Sequence, residues 1–295
     1  MSYRQVYINN AQKLSLKDNN LVVLNDTSEN KIPLEDIAFI ILEDYKTILT
    51  SRLISEISKH YISLIVCDEK YEPTTITYAY NHHFKQLEMF ELQCNVNAEL
   101  KALLWQKIIQ AKIYNQLLVI KDNNFNNEPI ELLNNYLETI EIGDVTNREG
   151  LAAKVYFRAI FGTNFIRFND DPVNAALNYG YKILVSAFLR SLAAHGLVSY
   201  YGIHHKSRVN NFNLAYDLIE PYRPFVDEFV YQNIDKLSLP LSFNIKKELI
   251  NILNKKIIIK DQKQTIQFSI DSYIRSLIKS FEKNKECLVI PRKYD

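Results

Sequence analysis

The sequence predicts an α+β protein. A small, mostly β N-terminal domain (residues 1–83) is followed by a larger, mostly α-helical domain (residues 84–295). Short apolar runs separated by turn-forming Asn and Asp fill the first region. The apolar period changes to 3.6 residues after Phe84. All six glycines lie between residues 143 and 202, which marks the middle of the chain as distinct.

The N-terminal region reads as a series of short strands with one helix. The helix is predicted over residues 50–60, where Leu53, Ile54 and Ile57 share a face and Thr50 or Ser51 caps the start. Residues 37–42 (IAFIIL) have the continuous apolar character of a buried strand. The strands are predicted at residues 5–8, 13–17, 21–24, 37–42 and 62–67.

The C-terminal region reads mainly as helices. Helical periodicity is found in residues 97–120, 129–141, 147–161, 171–196, 221–237, 241–253 and 271–285. Residues 257–269 are β-like with a polar centre, which predicts a hairpin. Tyr78, Tyr80, His82 and His83 form an aromatic group at the junction of the two regions, which indicates a linker.

Composition excludes several classes of protein. The chain has 295 residues, of which 47% are hydrophobic, so a sizeable core is expected and wholesale disorder is excluded. Because the net charge is +1, any nucleic-acid site must arise from a local distribution of charge. The spacing of the three cysteines indicates neither a disulfide framework nor a CxxC metal site. Without an apolar signal segment or membrane-length run, the sequence predicts a cytoplasmic protein with no membrane partner.

Two adjacent histidines and two nearby carboxylates form a possible metal site. His204 and His205 follow the last glycine, and Asp217 and Glu220 are three residues apart, on one helical face. Pro221 disturbs the helix, so we expect Glu220 to point out of the packing. One imidazole with carboxylates suits Mg²⁺ or Mn²⁺ better than zinc. The simpler alternative is that the two carboxylates lie on a solvent-exposed helix face and that the two histidines are part of a turn.

Glu149 is a third candidate ligand. It follows Asn147, a good helix N-cap, and acidic residues are favoured in a first turn, so capping alone explains it. Alternatively, the small residues from Gly150 to Ala153 form a patch on which another helix packs closely. Glu149 then faces the carboxylates of that helix, and such like charges need a cation or a proton between them.

Two motifs in combination carry a family resemblance. They are REGLAAKVYF (residues 148–157) and GIHHKSRVNNFNLAYDLIEPYRPFVD (residues 202–227). Together they resemble the CRISPR adaptation integrase family, known as the Cas one family, and most closely its type II branch. The resemblance covers nearly the whole chain.

The resemblance implies a set of catalytic residues. The glutamate before the glycine of E-G-x-A-A is Glu149, the histidine that closes G-x-x-H is His205, and the last carboxylate of D-x-x-E is Glu220. These three are the implied ligands of Mg²⁺ or Mn²⁺. Asp217 matches a further acidic position that supports the site, either as a hydrogen-bond acceptor behind the ligands or as an alternative ligand. His204, the neighbour of His205, would serve in hydrogen bonding or DNA contact.

The resemblance also implies a reaction and partners. A prespacer 3′-hydroxyl attacks a phosphodiester of the CRISPR leader-repeat in a metal-dependent transesterification. Family members form homodimers, to which the apolar N-terminal strands are suited, and bind the second CRISPR adaptation protein in a 4:2 assembly on double-stranded DNA. In type II systems the effector nuclease and an accessory DNA-end-binding protein also take part. A nuclease for branched DNA and a non-catalytic DNA-binding scaffold remain the alternatives.

Basic residues near these motifs are candidate phosphate contacts. Lys206, Arg208 and Arg223 lie in the second motif block, and Lys154 and Arg158 lie on the helix of Glu149. The last two are four residues apart, so they project from one helical face. Beside the site they would grip the DNA backbone without reading its sequence. A solvated helix pair is the other interpretation.

Overall fold

The structure, a computed structural model, describes residues 3–69, 71–77, 83–123 and 125–293. The chain divides into two compact units, Met1–Lys85 and Gln86–Asp295. The first is rich in strands and the second in helices, which confirms the predicted α+β class. Of the aromatic group at the junction, Tyr78, Tyr80 and His82 lie outside the described residues.

The first unit contains two sheets and one α-helix among its described residues. Its elements are β1 (Arg4–Ile8), β2 (Lys13–Lys17), β3 (Asn20–Leu24), β4 (Glu29–Pro33), β5 (Ile37–Leu42), β6 (Ile48–Leu49), α1 (Ser51–Lys59), β7 (Ser63–Cys67) and β8 (Pro73–Thr77). One sheet has the order β1-β5-β7-β8, in which β8 alone is antiparallel to its neighbour. The other has the order β4-β3-β2-β6.

Sequence periodicity explains most of this unit. Every residue of β5 is buried, as expected for a central parallel strand. Leu14, Ile40, Leu53 and Leu64 belong to one apolar core that joins the sheets and α1. Thr50 caps α1 by accepting the N–H of Leu53 at 3.4 Å. Strands β4, β6 and β8 were not predicted, because they are short or polar and lie at sheet edges.

The second unit is built around a long central helix. Its elements are α2 (Gln86–Cys94), α3 (Ala98–Asp122), α4 (Asn127–Thr139), α5 (Arg148–Phe161), α6 (Pro172–Ala194), α7 (Asn213–Ile219), α8 (Arg223–Gln232), α9 (Phe243–Asn251), β9 (Lys256–Ile259), β10 (Gln262–Thr265), α10 (Ile266–Lys283) and β11 (Arg292–Lys293). Helix α3 packs against α4, α5 and α8. A 3₁₀ turn, Glu220–Tyr222, joins α7 to α8.

The predicted hairpin is present but shorter than its predicted range. Strands β9 and β10 pair antiparallel through a turn at Lys260 and Asp261, both of which have positive φ. The strand ends at Thr265, whose hydroxyl accepts the N–H of Phe268 and starts α10. Residues 266–269 are therefore helical. Strand β11 pairs with the other edge of β9.

Two further features of the fold bear on the site. Asn115 of α3 donates to the carbonyl oxygens of Pro221 and Pro291 at 2.8 and 3.1 Å, and accepts the N–H of Lys293 at 3.1 Å. It therefore joins the 3₁₀ turn to the C-terminal strand. Among the described residues, no helix has both the length and the apolarity needed to cross a membrane.

Candidate active site

Asp217 holds the loop that carries the two histidines. This carboxylate is fully buried in α7. Its Oδ2 accepts the backbone N–H groups of Ile203 and His204 at 2.6 and 3.0 Å, and its Oδ1 accepts that of His205 at 3.1 Å. Oδ1 also lies 2.5 Å from Nδ1 of His205. In this bond the N–H of Nδ1 is donated to Asp217. Nε2 of the neutral ring therefore keeps its lone pair for a ligand.

Gly202 makes this wrapping possible. A Cβ at this position would lie 2.5 Å from the carbonyl oxygen of His205 and 2.8 Å from Oδ2 of Asp217. Any side chain would therefore push the loop away from the carboxylate. The G-x-x-H spacing thus reflects how closely the loop approaches Asp217.

Trp105 of α3 packs against the rings of both His204 and His205. The His204 ring stacks on the buried indole with centroids 4.1 Å apart and planes 3° from parallel, and the His205 ring lies edge-on to it at 5.8 Å. Burial lowers the pKa of His204. The hydrogen bond that His205 donates to Asp217 raises the pKa of His205 despite its partial burial. The two adjacent rings therefore have different electrostatic environments.

Glu149 lies in a helix start that is capped twice. Asn147 Oδ1 accepts the N–H of Gly150 at 3.2 Å, while Asp144 accepts those of Arg148 and Glu149 at 2.7 and 3.0 Å. These bonds fix the backbone from which the Glu149 side chain projects. The predicted N-cap is therefore present, and Asp144 is a buried second cap that the sequence analysis missed.

The small-residue patch after Glu149 is packed only in part: Ala152 is fully buried on α5, which packs against α3 and α4, but Gly150 and Leu151 are not part of that contact. A Cβ on Gly150 would lie 2.8 Å from the side-chain amide of Asn147, so this glycine makes room for the cap and not for a neighbouring helix. Leu151, next in the chain, is exposed. Close helix contact occurs instead at Gly180 of α6, where a Cβ would lie 2.4 Å from Val226.

Glu220 is buried, contrary to the expectation that it points out of the packing. The chain does change from α to 3₁₀ geometry at this residue, as Pro221 predicts. The carboxylate nevertheless turns inward, because two cations lie there. Arg223 Nε is 3.0 Å from its Oε1, and Lys112 Nζ is 2.5 Å from its Oε2. Burial opposes the charge, but Arg223 and Lys112 outweigh it and lower the pKa of Glu220.

Lys112 joins the two candidate glutamates. Its ammonium is 2.7 Å from Oε1 of Glu149 as well as 2.5 Å from Glu220, and only 8% of its side chain is exposed. Burial opposes its charge, yet Glu220 and Glu149 raise the pKa of Lys112. Neither motif points to this residue. A lysine among the apolar residues Ile108, Ile109, Ala111 and Ile113 of α3 is the signal that would have found it.

Behind Glu220 lies a buried polar layer. The Arg223 guanidinium is 4.7 Å from the centre of the Tyr181 ring, and the Tyr181 hydroxyl donates to the buried Asp227. Burial raises the pKa of Asp227 to about 7. Arg223 is thus engaged by Glu220 and Tyr181 and does not stand free on the surface, as a phosphate contact would require.

The other predicted basic residues are exposed, but they lie in two places. Lys206 and Arg208 follow His205 in the same loop. Lys154 and Arg158 lie on α5. At about 100° per residue, they project roughly opposite Glu149, so they do not flank it. Of the two pairs, only Lys206 and Arg208 lie beside a candidate ligand, His205, in the sequence.

The donor set has the chemistry that a divalent cation requires. Glu149 and Glu220 already share one cation, Lys112, so their oxygens are within reach of a common centre. Carboxylate oxygens and one imidazole nitrogen suit Mg²⁺ or Mn²⁺. Among the described residues, no group of three or more His, Cys, Asp or Glu side chains is itself arranged to hold a metal. The Lys112 ammonium instead bridges the two glutamates.

Known proteins of similar sequence belong to one family. The family model for CRISPR associated protein Cas1 matches residues 6–260. A CRISPR-associated endonuclease Cas1 of Neisseria meningitidis serogroup C is 37% identical over 298 residues, which cover 99% of this chain and 96% of that protein. One from Francisella tularensis subsp. novicida is 28% identical over 278 residues, 86% of this chain and 83% of that protein.

Solved structures share the fold over almost the entire chain. A casposase bound to its integration product matches with a TM-score of 0.80 at 21% identity, covering 97% of this chain and 92% of that one. A Cas1 protein from Thermotoga maritima matches with a TM-score of 0.76 at 16% identity, covering 97% and 99%. Both the strand-rich and the helical unit are therefore parts of a known architecture.

The fold and the relatives together place this chain in the class of endonucleases. More particularly, the chain belongs to the CRISPR-associated Cas1 family. This confirms the resemblance drawn from the two sequence motifs, and with it the expectation of a CRISPR adaptation enzyme.

Proposed function

We propose that this protein joins prespacer 3′-hydroxyl ends to a CRISPR repeat by metal-dependent transesterification, as part of spacer acquisition. One observation carries the proposal. Glu149 and Glu220, which come from separate helical elements, converge on a single cationic centre, and Asp217 leaves Nε2 of the nearby His205 available. Glu220 and Lys112 are buried charges, which are costly to bury and are characteristic of functional sites.

Glu149, His205 and Glu220 would hold Mg²⁺ or Mn²⁺. Such a cation, when bound, stabilises the charge that develops on the phosphate oxygens during an in-line displacement. The chain itself orients these ligands. Asp217 sets the tautomer of His205, and Arg223 fixes the Glu220 carboxylate through Oε1, leaving Oε2 facing the centre. Asp217 is a positioning residue in this scheme, because its oxygens are taken by the histidine loop.

Contacts to the DNA backbone would come from the loop after His205. Lys206 and Arg208 are exposed there, and basic side chains contact phosphates without reading sequence. Lys154 and Arg158 would form a separate basic surface on α5, which contacts DNA away from the reacting phosphate.

The assembly follows that of the family. Among the solved structures is a Cas6-RT-Cas1–Cas2 complex, with a TM-score of 0.77 over 96% of this chain. Accordingly, we propose a homodimer built through the N-terminal unit, with two dimers and one dimer of the second adaptation protein on a prespacer duplex in the cytoplasm. The similarity to the Neisseria protein supports a type II system, in which the effector nuclease and an end-binding protein participate.

A joining assay tests the function. Labelled duplex with free 3′-hydroxyls is incubated with a supercoiled leader-repeat plasmid, Mn²⁺ and the second adaptation protein. Wild type is compared with Glu149→Ala, His205→Ala and, as a matched control, Glu131→Ala on the exposed face of α4. We expect joined product from wild type and the control, and none from the other two. Cleavage of branched DNA without joining would indicate a nuclease, and metal-independent binding alone would indicate a scaffold.

A further inference from the structure

Lys112 is a buried cation that the reaction scheme does not use. It lies on α3, far in sequence from either motif, and its ammonium contacts Glu149 and Glu220 and nothing catalytic besides. We propose that Lys112 is the internal counter-ion of the metal site: it holds the two glutamates together in the metal-free protein and yields its place when the metal binds. This inference rests on the proposed metal site.

Charge balance explains why such a group is needed. Glu220 is 2% exposed and Glu149 projects toward the same centre, so two carboxylates face each other in a region of low dielectric. Arg223 pairs with Oε1 of Glu220. Lys112 pairs with Oε2 and with Glu149, which makes it the cation common to both. Without it, the two carboxylates would repel each other in the metal-free protein, which raises the free energy of that state but not of the metal-bound state.

Geometry makes Lys112 and a metal mutually exclusive. The ammonium nitrogen is 2.7 and 2.5 Å from the two carboxylate oxygens. Mg²⁺ bound to the same oxygens, at about 2.1 Å, would lie within the volume of that ammonium. The lysine must therefore leave, and its flexible four-carbon stem allows this by rotation about its side-chain bonds. The open side is toward Glu149, whose side chain is 27% exposed.

Two consequences follow. Removing the ammonium removes a competitor, so the metal should bind more tightly, although the metal-free protein becomes less stable. In wild type, metal binding should expose an amine that is otherwise buried. Both are properties of binding and not of activity, so they separate this inference from the proposed reaction.

The first experiment measures Mn²⁺ affinity by electron paramagnetic resonance and the melting temperature without metal. It compares wild type with Lys112→Met and with Lys107→Met, an exposed lysine on the same helix. We expect Lys112→Met to bind Mn²⁺ about tenfold more tightly. We also expect its metal-free melting temperature to fall by about 5 °C or more and to recover with Mn²⁺. The control should match wild type. Unchanged or weaker Mn²⁺ affinity in folded Lys112→Met would overturn the proposal.

The second experiment uses the wild-type protein alone and so does not depend on how the variant folds. Amines are reductively methylated with and without saturating Mg²⁺, and modified peptides are identified by mass spectrometry. We expect Lys112 to be protected without Mg²⁺ and modified with it, whereas Lys107 is modified in both. Equal protection of Lys112 would contradict displacement. If wild type bound no Mn²⁺, or if Glu149→Ala and His205→Ala bound it as wild type does, the proposed metal site itself would be wrong.

Discussion

At Asp217, one buried carboxylate binds three consecutive backbone N–H groups and one imidazole nitrogen. Sequence spacing placed this residue near the ligands but left its role open between ligand and support. Its burial and its contacts favour support. A carboxylate that is surrounded by donors is poorly placed to face a cation as well.

Replacing Asp217 by Asn tests that role. The amide nitrogen would face backbone N–H donors, so the loop and the His205 ring would lose their fixed orientation. We expect Mn²⁺ affinity and joining rate to fall about 10- to 100-fold, as for other residues that orient metal ligands. Calorimetric titration with Mn²⁺ measures this directly. Asp235→Asn, on the short 3₁₀ turn after α8, should behave as wild type, and a variant with full affinity would make Asp217 dispensable.

Asp227 predicts a pH dependence of stability. Burial raises the pKa of this carboxyl to about 7, far above the ordinary value for an aspartate. The folded state thus holds a proton that the unfolded state releases, so the contribution of Asp227 to stability is fully present below about pH 4 and is lost as pH rises through 7. The largest slope for one group is about 1.4 kcal/mol per pH unit.

Asp227→Asn should remove this slope while keeping an acceptor for the Tyr181 hydroxyl. Urea unfolding at several pH values between 4.5 and 8 gives the comparison. We expect the free energy of unfolding of wild type to fall relative to the variant across that range and to run parallel to it above pH 8. Parallel curves throughout would mean that Asp227 is already ionised in the folded protein.

At the scale of elements, the histidine loop and α7 behave as one unit. The loop closes on Asp217 only because Gly202 has no side chain. Gly202→Ala should therefore displace the loop and lower the joining rate by at least about tenfold, with a modest loss of stability, because a Cβ would overlap backbone that has little freedom to move. Val209→Ala, almost fully exposed in the same loop, is the matched control. A rate equal to that of wild type would show that the close approach is not required.

The elements that were predictable are those with a strong local signal. Helices α3, α5 and α6 follow from apolar period, and α5 also from its predicted cap at Asn147; the structure adds side-chain caps at Asn97 and Asp171. The inward turn of Glu220 was not predictable. It depends on Lys112, which is 108 positions earlier in the printed sequence, and local sequence does not show which distant cation a carboxylate meets.

At the scale of the helical unit, the C-terminal strand supports the site through its core. Lys293 is buried and pairs with Asp122 and with Glu228, while Asn115 connects the same strand to the turn at Pro221. Lys293, near the C-terminal end of the chain, is thus packed into the helical unit. This connection joins segments far apart in sequence, and no motif signals it.

Lys293→Met should destabilise the protein, because it removes the cation that pairs with both Glu228 and Asp122. Lys255 still pairs with Glu228 at 2.6 Å, so we expect a loss of about 2–3 kcal/mol, somewhat less than for a fully broken buried pair. Denaturant unfolding measures it, with the exposed Lys279→Met as control. A difference below about 0.5 kcal/mol would mean that the pair contributes no more than a surface salt bridge.

The central claim is that Glu149, His205 and Glu220 bind one catalytic cation in place of the Lys112 ammonium. Anomalous diffraction from crystals grown with Mn²⁺ tests it most directly. The account predicts an anomalous peak bound by Glu149, Glu220 and Nε2 of His205, with Lys112 turned away and Asp217 still holding the histidine loop. A peak ligated by other residues, or Lys112 still bridging the two glutamates at saturating Mn²⁺, would contradict it.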